Sequence, residues 1–116
     1  IVREQDGLAL SSRNRYLSQE EREQAPGLSR ALGRAERLFL KGEREARVLK
    51  DTVREELERL PLFTPEYVEL VDLGTLLSVE RVENKALLLL AGRLGRTRLI
   101  DNIVLGGTHV DLGTQE

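Results

Sequence analysis

The sequence predicts an α+β domain in which a two-helix hairpin packs on a small antiparallel β-sheet. Three observations carry this. Apolar residues recur at spacings of three and four from Leu28 to Leu60. Gly42 divides that helical half into two. Beyond Pro61 and Pro65 the pattern changes to short β-branched and leucine-rich runs. A chain of 116 residues suits one ordinary domain.

The elements follow in chain order. Residues 3–17 read as loop, with Asp6-Gly7 as a turn pair. Ser18-Gln19-Glu20-Glu21 matches a capping box, in which the serine and the second glutamate satisfy each other's backbone N–H groups. Pro26-Gly27 implies a kink or a restart, because proline fits only the first turn of a helix. Leu28, Ala31, Leu32, Ala35 and Leu38 then form an apolar stripe. A second helix is expected over roughly residues 43–60, with Leu49, Val53, Leu57 and Leu60 inward. Three strands are expected within residues 66–105: Tyr67–Val71, Lys85–Ala91 and Thr97–Leu105. The continuous run Leu87–Leu90 reads as a central strand covered on both faces. Residues 106–116, including His109, read as a polar tail.

Composition excludes several function classes. A net charge of -2 leaves no footprint for nucleic acid or membrane. The absence of cysteine removes disulfide and thiolate chemistry, and with His109 as the single histidine it removes the usual zinc sites, so no metal site is assigned. These features fit a cytoplasmic protein. The chain opens on Ile1-Val2, two β-branched residues without a methionine. They read as the end of a strand cut from something larger, so a fragment is expected.

Ser11, Ser12, Arg13 and Asn14 place hydroxyls, a guanidinium and an amide side by side. One reading is a surface loop with a helix-capping serine, since such residues dominate loops. The other is an anion clamp, in which hydroxyls, adjacent N–H groups and an arginine fork point at phosphate oxygens. Residues 7–17 hold Arg13 and Arg15 and no acid.

The run 2-VREQDGLALSSRNRYLS-18 resembles the nucleotide-binding signature of the pantothenate synthetase (pantoate–β-alanine ligase) family, and Arg98-Leu99-Ile100-Asp101-Asn102 resembles that family's C-terminal R-L-I-D-N. Tyr67-Val68-Glu69 and Asp72 fall where its Y-V-E…D segment does. The resemblance covers essentially the whole chain. It implies the C-terminal lid domain of an enzyme whose N-terminal Rossmann-like domain is absent here, with 1–17 as nucleotide-binding loop, 18–60 as helices and 66–105 as strands. It implies condensation of pantoate with β-alanine through pantoyl adenylate, with ATP and Mg²⁺, in a homodimeric full-length enzyme. By motif position, Val2 should contact adenine through its backbone, while Leu10, Ser11, Ser12 and Arg13 should line the phosphates. Ser11, Ser12 and Arg13 would assist departure of pyrophosphate. Leu10 stands where methionine is frequent, and Gln5 where proline is. The isolated chain is expected to be inactive. The alternative is a non-catalytic structural or interaction module of a larger cytoplasmic protein.

Two further features have structural readings. Asp101 interrupts an apolar strand and needs a partner, for which Arg98 is a candidate. Arg93, Arg96 and Arg98 could lie near phosphate, but a hairpin turn with ordinary surface charge is the better reading.

Overall fold

A computed structural model describes residues 2–106; His109 and the rest of the predicted tail lie outside the described residues. The architecture is α+β, with helices on one face of a three-stranded antiparallel sheet. Helices α1 (Gln19–Gln24), α2 (Gly27–Leu40) and α3 (Ala46–Leu57) precede strands β1 (Phe63–Asp72), β2 (Ala86–Leu94) and β3 (Thr97–Leu105), in sheet order β1-β2-β3.

The capping box forms as the sequence suggests: the Glu21 N–H donates to Ser18 Oγ at 3.2 Å, and the Ser18 N–H to Glu21 Oε1 at 2.8 Å. At Pro26-Gly27 the chain restarts, with Pro26 capping α2. Leu28, Ala31, Leu32, Ala35 and Phe39 of α2 meet Leu49, Val53 and Leu57 of α3, and all are buried. Leu38 and Leu60 only border this core.

Helix α3 is shorter than residues 43–60. Its entry is diverted into pairing with a later segment: the Ala46 N–H donates to the Glu80 carbonyl at 2.9 Å, and the Val82 N–H to the Arg44 carbonyl at 2.9 Å. Pairing of Glu45 with Arg81 gives those residues extended backbone. At the other end, Pro61 disfavours helical backbone in Leu60.

Strand β1 begins at Phe63, before the proline read as its boundary, and Pro65 lies within it. Proline is tolerated because β1 is an edge strand and the register shifts between Pro65 and Tyr67. β2 is central as expected, but only its inner face is fully covered: Ala86, Leu88 and Leu90 are buried, whereas Leu87 and Leu89 are half-buried. The helices cover one face only.

Residues 3–17, read as plain loop, hold more structure than that. A short antiparallel bridge joins Arg3 to Ala9, and Ser12–Tyr16 forms a 3-10 helix.

Candidate functional site

The site starts from a tight hairpin. The Glu4 N–H donates to the Leu8 carbonyl at 2.7 Å and the Leu10 N–H to that of Val2 at 2.8 Å, so residues 2–10 fold back on themselves. Asp6 and Gly7 make the turn. Asp6 Oδ1 accepts from the Leu8 N–H at 3.3 Å, and Gly7 adopts φ +97°, a conformation side chains disfavour. The turn places Leu8 in the core at 2% exposure and Leu10 outside at 61%.

Three ionic contacts brace this hairpin. Arg3 forms a fork with buried Asp101, Nη1 to Oδ2 at 2.7 Å and Nη2 to Oδ1 at 2.9 Å. The same guanidinium donates to the Gly7 carbonyl at 2.9 Å, and Asp101 Oδ1 also accepts from the Asn102 N–H at 2.7 Å. Arg22 of α1 reaches Glu4 and Asp6, each at 2.8 Å. The Arg22 guanidinium holds the Asp6 carboxyl below its ordinary range. Asn14 Nδ2 donates to Glu4 Oε2 at 2.7 Å and to the Ala9 carbonyl at 3.1 Å. Those two acceptors fix the orientation of the amide, and its buried Oδ1 has no partner among the described residues.

The partner of Asp101 is therefore Arg3, not Arg98. Residues three apart on a strand project to opposite faces, so Arg98 could not turn back to Asp101. Arg98 sits opposite Arg93 in the sheet and donates instead to Glu66 Oε1 at 2.8 Å, which raises its pKa.

Above the braced base lies a working edge. Ser11 caps the 3-10 helix, its Oγ accepting from the Arg13 N–H at 3.1 Å. The capping reading is thus correct for Ser11, but a cap uses only an oxygen lone pair and leaves the hydroxyl proton free to donate. Ser12 and Arg13 are exposed, and neither side chain has a hydrogen-bond or ion-pair partner among the described residues. Val2 is exposed; its carbonyl is engaged by Leu10, and its N–H has no partner among the described residues.

Val2, Leu10, Ser11 and Arg13 line one side of a cleft of about 820 Å³, and Arg98 through Asn102 line the other. Four of the five sequence-selected residues thus share one cavity; Ser12 stands beside it without lining it. Sequence reasoning missed Arg3 as the brace and Ile100 as part of the opposite wall, and it preferred ordinary surface charge for Arg98, which lines that wall. Strand parity was the available signal against an Arg98–Asp101 pair, since it points the two side chains to opposite faces. Asp72, from the third motif, has a structural task. Its Oδ1 accepts from the Gly74 and Thr75 N–H groups at 2.7 and 2.9 Å, which lowers its pKa. Among the described residues no three His, Asp or Glu side chains gather to hold a metal, and no helix is long and apolar enough to cross a membrane.

Residues 1–104 match the family model described as pantoate-beta-alanine ligase. A pantothenate synthetase of Thermotoga petrophila is 49% identical over 106 residues, covering 91% of this chain and 38% of the relative. A bifunctional pantoate ligase/cytidylate kinase of Synechococcus is 51% identical over 110 residues, covering 95% of this chain and 20% of the relative. The crystal structure of pantothenate synthetase from Thermus thermophilus superposes with a TM-score of 0.82 at 41% identity, covering 88% of this chain and 37% of that one. The chain spans about 38% of the length of the curated relative from Thermotoga petrophila.

Proposed function

The chain belongs to the pantoate–β-alanine ligase family, and on that premise we propose that it serves the ATP-dependent condensation of pantoate with β-alanine to pantothenate. Its part is the phosphate-facing cover of the active site. A preceding Rossmann-like domain of the same cytoplasmic, homodimeric enzyme supplies most contacts to pantoate and β-alanine. Taken alone, the chain does not turn over.

The observation that carries this reading is the presentation of Arg13. A fork of donors without a protein partner among the described residues stands on the 3-10 helix that follows the braced hairpin, beside the Ser11 hydroxyl and over an open cleft. Such donors, fixed in advance, stabilise charge as it develops. In the first step a carboxylate oxygen of pantoate attacks the α-phosphorus of ATP. The bond to the oxygen bridging the β-phosphorus breaks, and pyrophosphate leaves with the electron pair. The amine of β-alanine then attacks the acyl carbon, the bond to AMP breaks, and the amine proton passes to solvent. No protein nucleophile is required, so positioning and charge stabilisation carry the chemistry.

Arg13 and the Ser11 and Ser12 hydroxyls donate to the departing pyrophosphate, Leu10 lines the phosphates beside them, and Val2 meets the adenine through its backbone. Magnesium enters as the ion carried on the ATP phosphates. The described residues offer it no carboxylate cage, and none of these steps is assigned to a protein-held ion.

The test is Arg13→Ala in the full-length enzyme. Removal of a preorganised donor of this kind slows adenylate formation by about 10²–10³-fold. Arg13→Lys restores only part of the rate, because a point charge replaces a fork. Attack of β-alanine on preformed pantoyl adenylate stays near the wild-type rate, since pyrophosphate has already gone. Single-turnover measurement of the two half-reactions decides it. An unchanged adenylation rate in Arg13→Ala returns the loop to the reading as a non-catalytic module.

A further inference from the structure

Beside the cleft lies a second recess, of about 650 Å³, lined by Arg13, Tyr16, Arg93, Arg96, Thr97 and Arg98. Two distant parts of the sequence meet here: the 3-10 helix supplies Arg13 and Tyr16, and the β2–β3 hairpin supplies the rest. Gly95 adopts φ +63° at the first turn position, as a type II′ hairpin requires, and leaves Arg96 at the tip. The turn is tied down by the Gly95 N–H, which donates to the Leu62 carbonyl at 3.2 Å.

The charge here is lopsided. Four guanidinium groups line the recess, and Glu66 is the carboxylate paired with any of them, to Arg98 Nε at 2.8 Å and Arg93 Nε at 3.4 Å. Glu66 takes the Nε donors of both, while no ion pair engages Arg13 or Arg96 among the described residues. The Glu21 carboxylate lies against Gly95 at the turn but pairs with none of the four arginines among the described residues, so positive charge stays in excess here. Like charges gathered in this way repel unless an anion joins them.

Arg13 and Arg98 line both the cleft and the recess, so the two spaces are contiguous. Its donors come from two walls, the 3-10 helix and the β2–β3 hairpin. An anion with two linked phosphate groups meets both walls at once.

We propose that this recess is a second anion-binding position, specific for the diphosphate class, which receives pyrophosphate as it leaves Arg13. The source of the pyrophosphate rests on the function proposed above; the binding site itself does not. Arg96 is the residue that distinguishes the recess, because it lines no part of the cleft and its side chain has no structural partner to lose among the described residues.

The experiment is an amide-resolved NMR titration of this chain with inorganic pyrophosphate, inorganic phosphate and AMP in separate arms. Pyrophosphate is expected to shift Gly95, Arg96 and Thr97, and to bind at least about tenfold more tightly than phosphate. Arg96→Glu weakens pyrophosphate at least about tenfold, and the charge-conserving Arg96→Lys recovers part of that loss. AMP shifts Val2 and Leu10 equally in wild type and Arg96→Glu. Equal pyrophosphate affinity in wild type and Arg96→Glu overturns the proposal, as do shifts confined to residues 10–13 or equal affinity for phosphate. If AMP leaves Val2 and Leu10 unmoved while pyrophosphate still moves Arg96, the recess stands and the nucleotide reading of the cleft fails.

Discussion

The hairpin at the start of this chain contains two regions of opposite character. Residues 3–8 are the base: Leu8 is sunk in the core, Arg3 is locked to Asp101, and Glu4 and Asp6 share Arg22. Residues 10–13 are the edge: Leu10, Ser11, Ser12 and Arg13 are exposed, with a cap on Ser11 as their one side-chain tie among the described residues. Both halves are polar and charged in sequence. The difference teaches that a polar loop can spend its first charges on bracing itself and leave the later ones exposed. Arg3 cannot greet a phosphate because Asp101 already holds it; Arg13 can because nothing does among the described residues. Leu8 and the ionic braces tie the base to the core.

Breaking the base has the largest effect. Arg3→Ala leaves Asp101 buried at 1% exposure without its counter-charge. A loss of about 3 kcal/mol is expected, at the low end for buried pairs because Arg3 is itself partly exposed. Urea denaturation of the chain reads this as a fall in midpoint. No change in midpoint removes Arg3 as the brace.

The two leucines sharpen the contrast. Leu8→Ala costs about 2 kcal/mol, the lower end for a buried leucine because a surface hairpin can settle into the gap. Leu10→Ala, two residues away, stays within about 0.5 kcal/mol. Comparable losses at both positions abolish the distinction between base and edge.

A smaller effect concerns acid. The Asp6 carboxyl is held below its ordinary value of 3.8 by Arg22. A depressed folded pKa means that the contact contributes above the unfolded value, and that this contribution disappears as pH falls from 3.8 through the folded value. In Arg22→Gln the Asp6 titration followed by NMR moves up toward 3.8, and this part of the acid sensitivity vanishes. A midpoint that does not move assigns the depression to the backbone turn instead. The smallest expected effect is on the edge itself: Arg13→Ala changes stability by less than about 0.5 kcal/mol, whatever it does to catalysis. A large loss in the same urea titration makes Arg13 part of the scaffold.

Much of the fold was legible in the sequence because its signals are local. Ser18 and Glu21 announce a helix start within four residues, Asp6-Gly7 announces a turn, and the leucine spacing marks the buried faces of α2 and α3. The run from Val2 to Arg13 also singled out Val2, Leu10, Ser11 and Arg13, which line one wall of the cleft. What the sequence could not determine is pairing at a distance. Pro65 lies inside a strand because that strand is at the sheet edge, which is a property of the sheet and not of the residue. Asp101 chose an arginine 98 positions away over one three positions away, because strand geometry turned the near one to the other face. Arg13 joined Arg96 and Arg98 around one recess because the 3-10 helix packs on β3. Periodicity and capping are written along the chain, whereas which charges meet is decided only when the layers close.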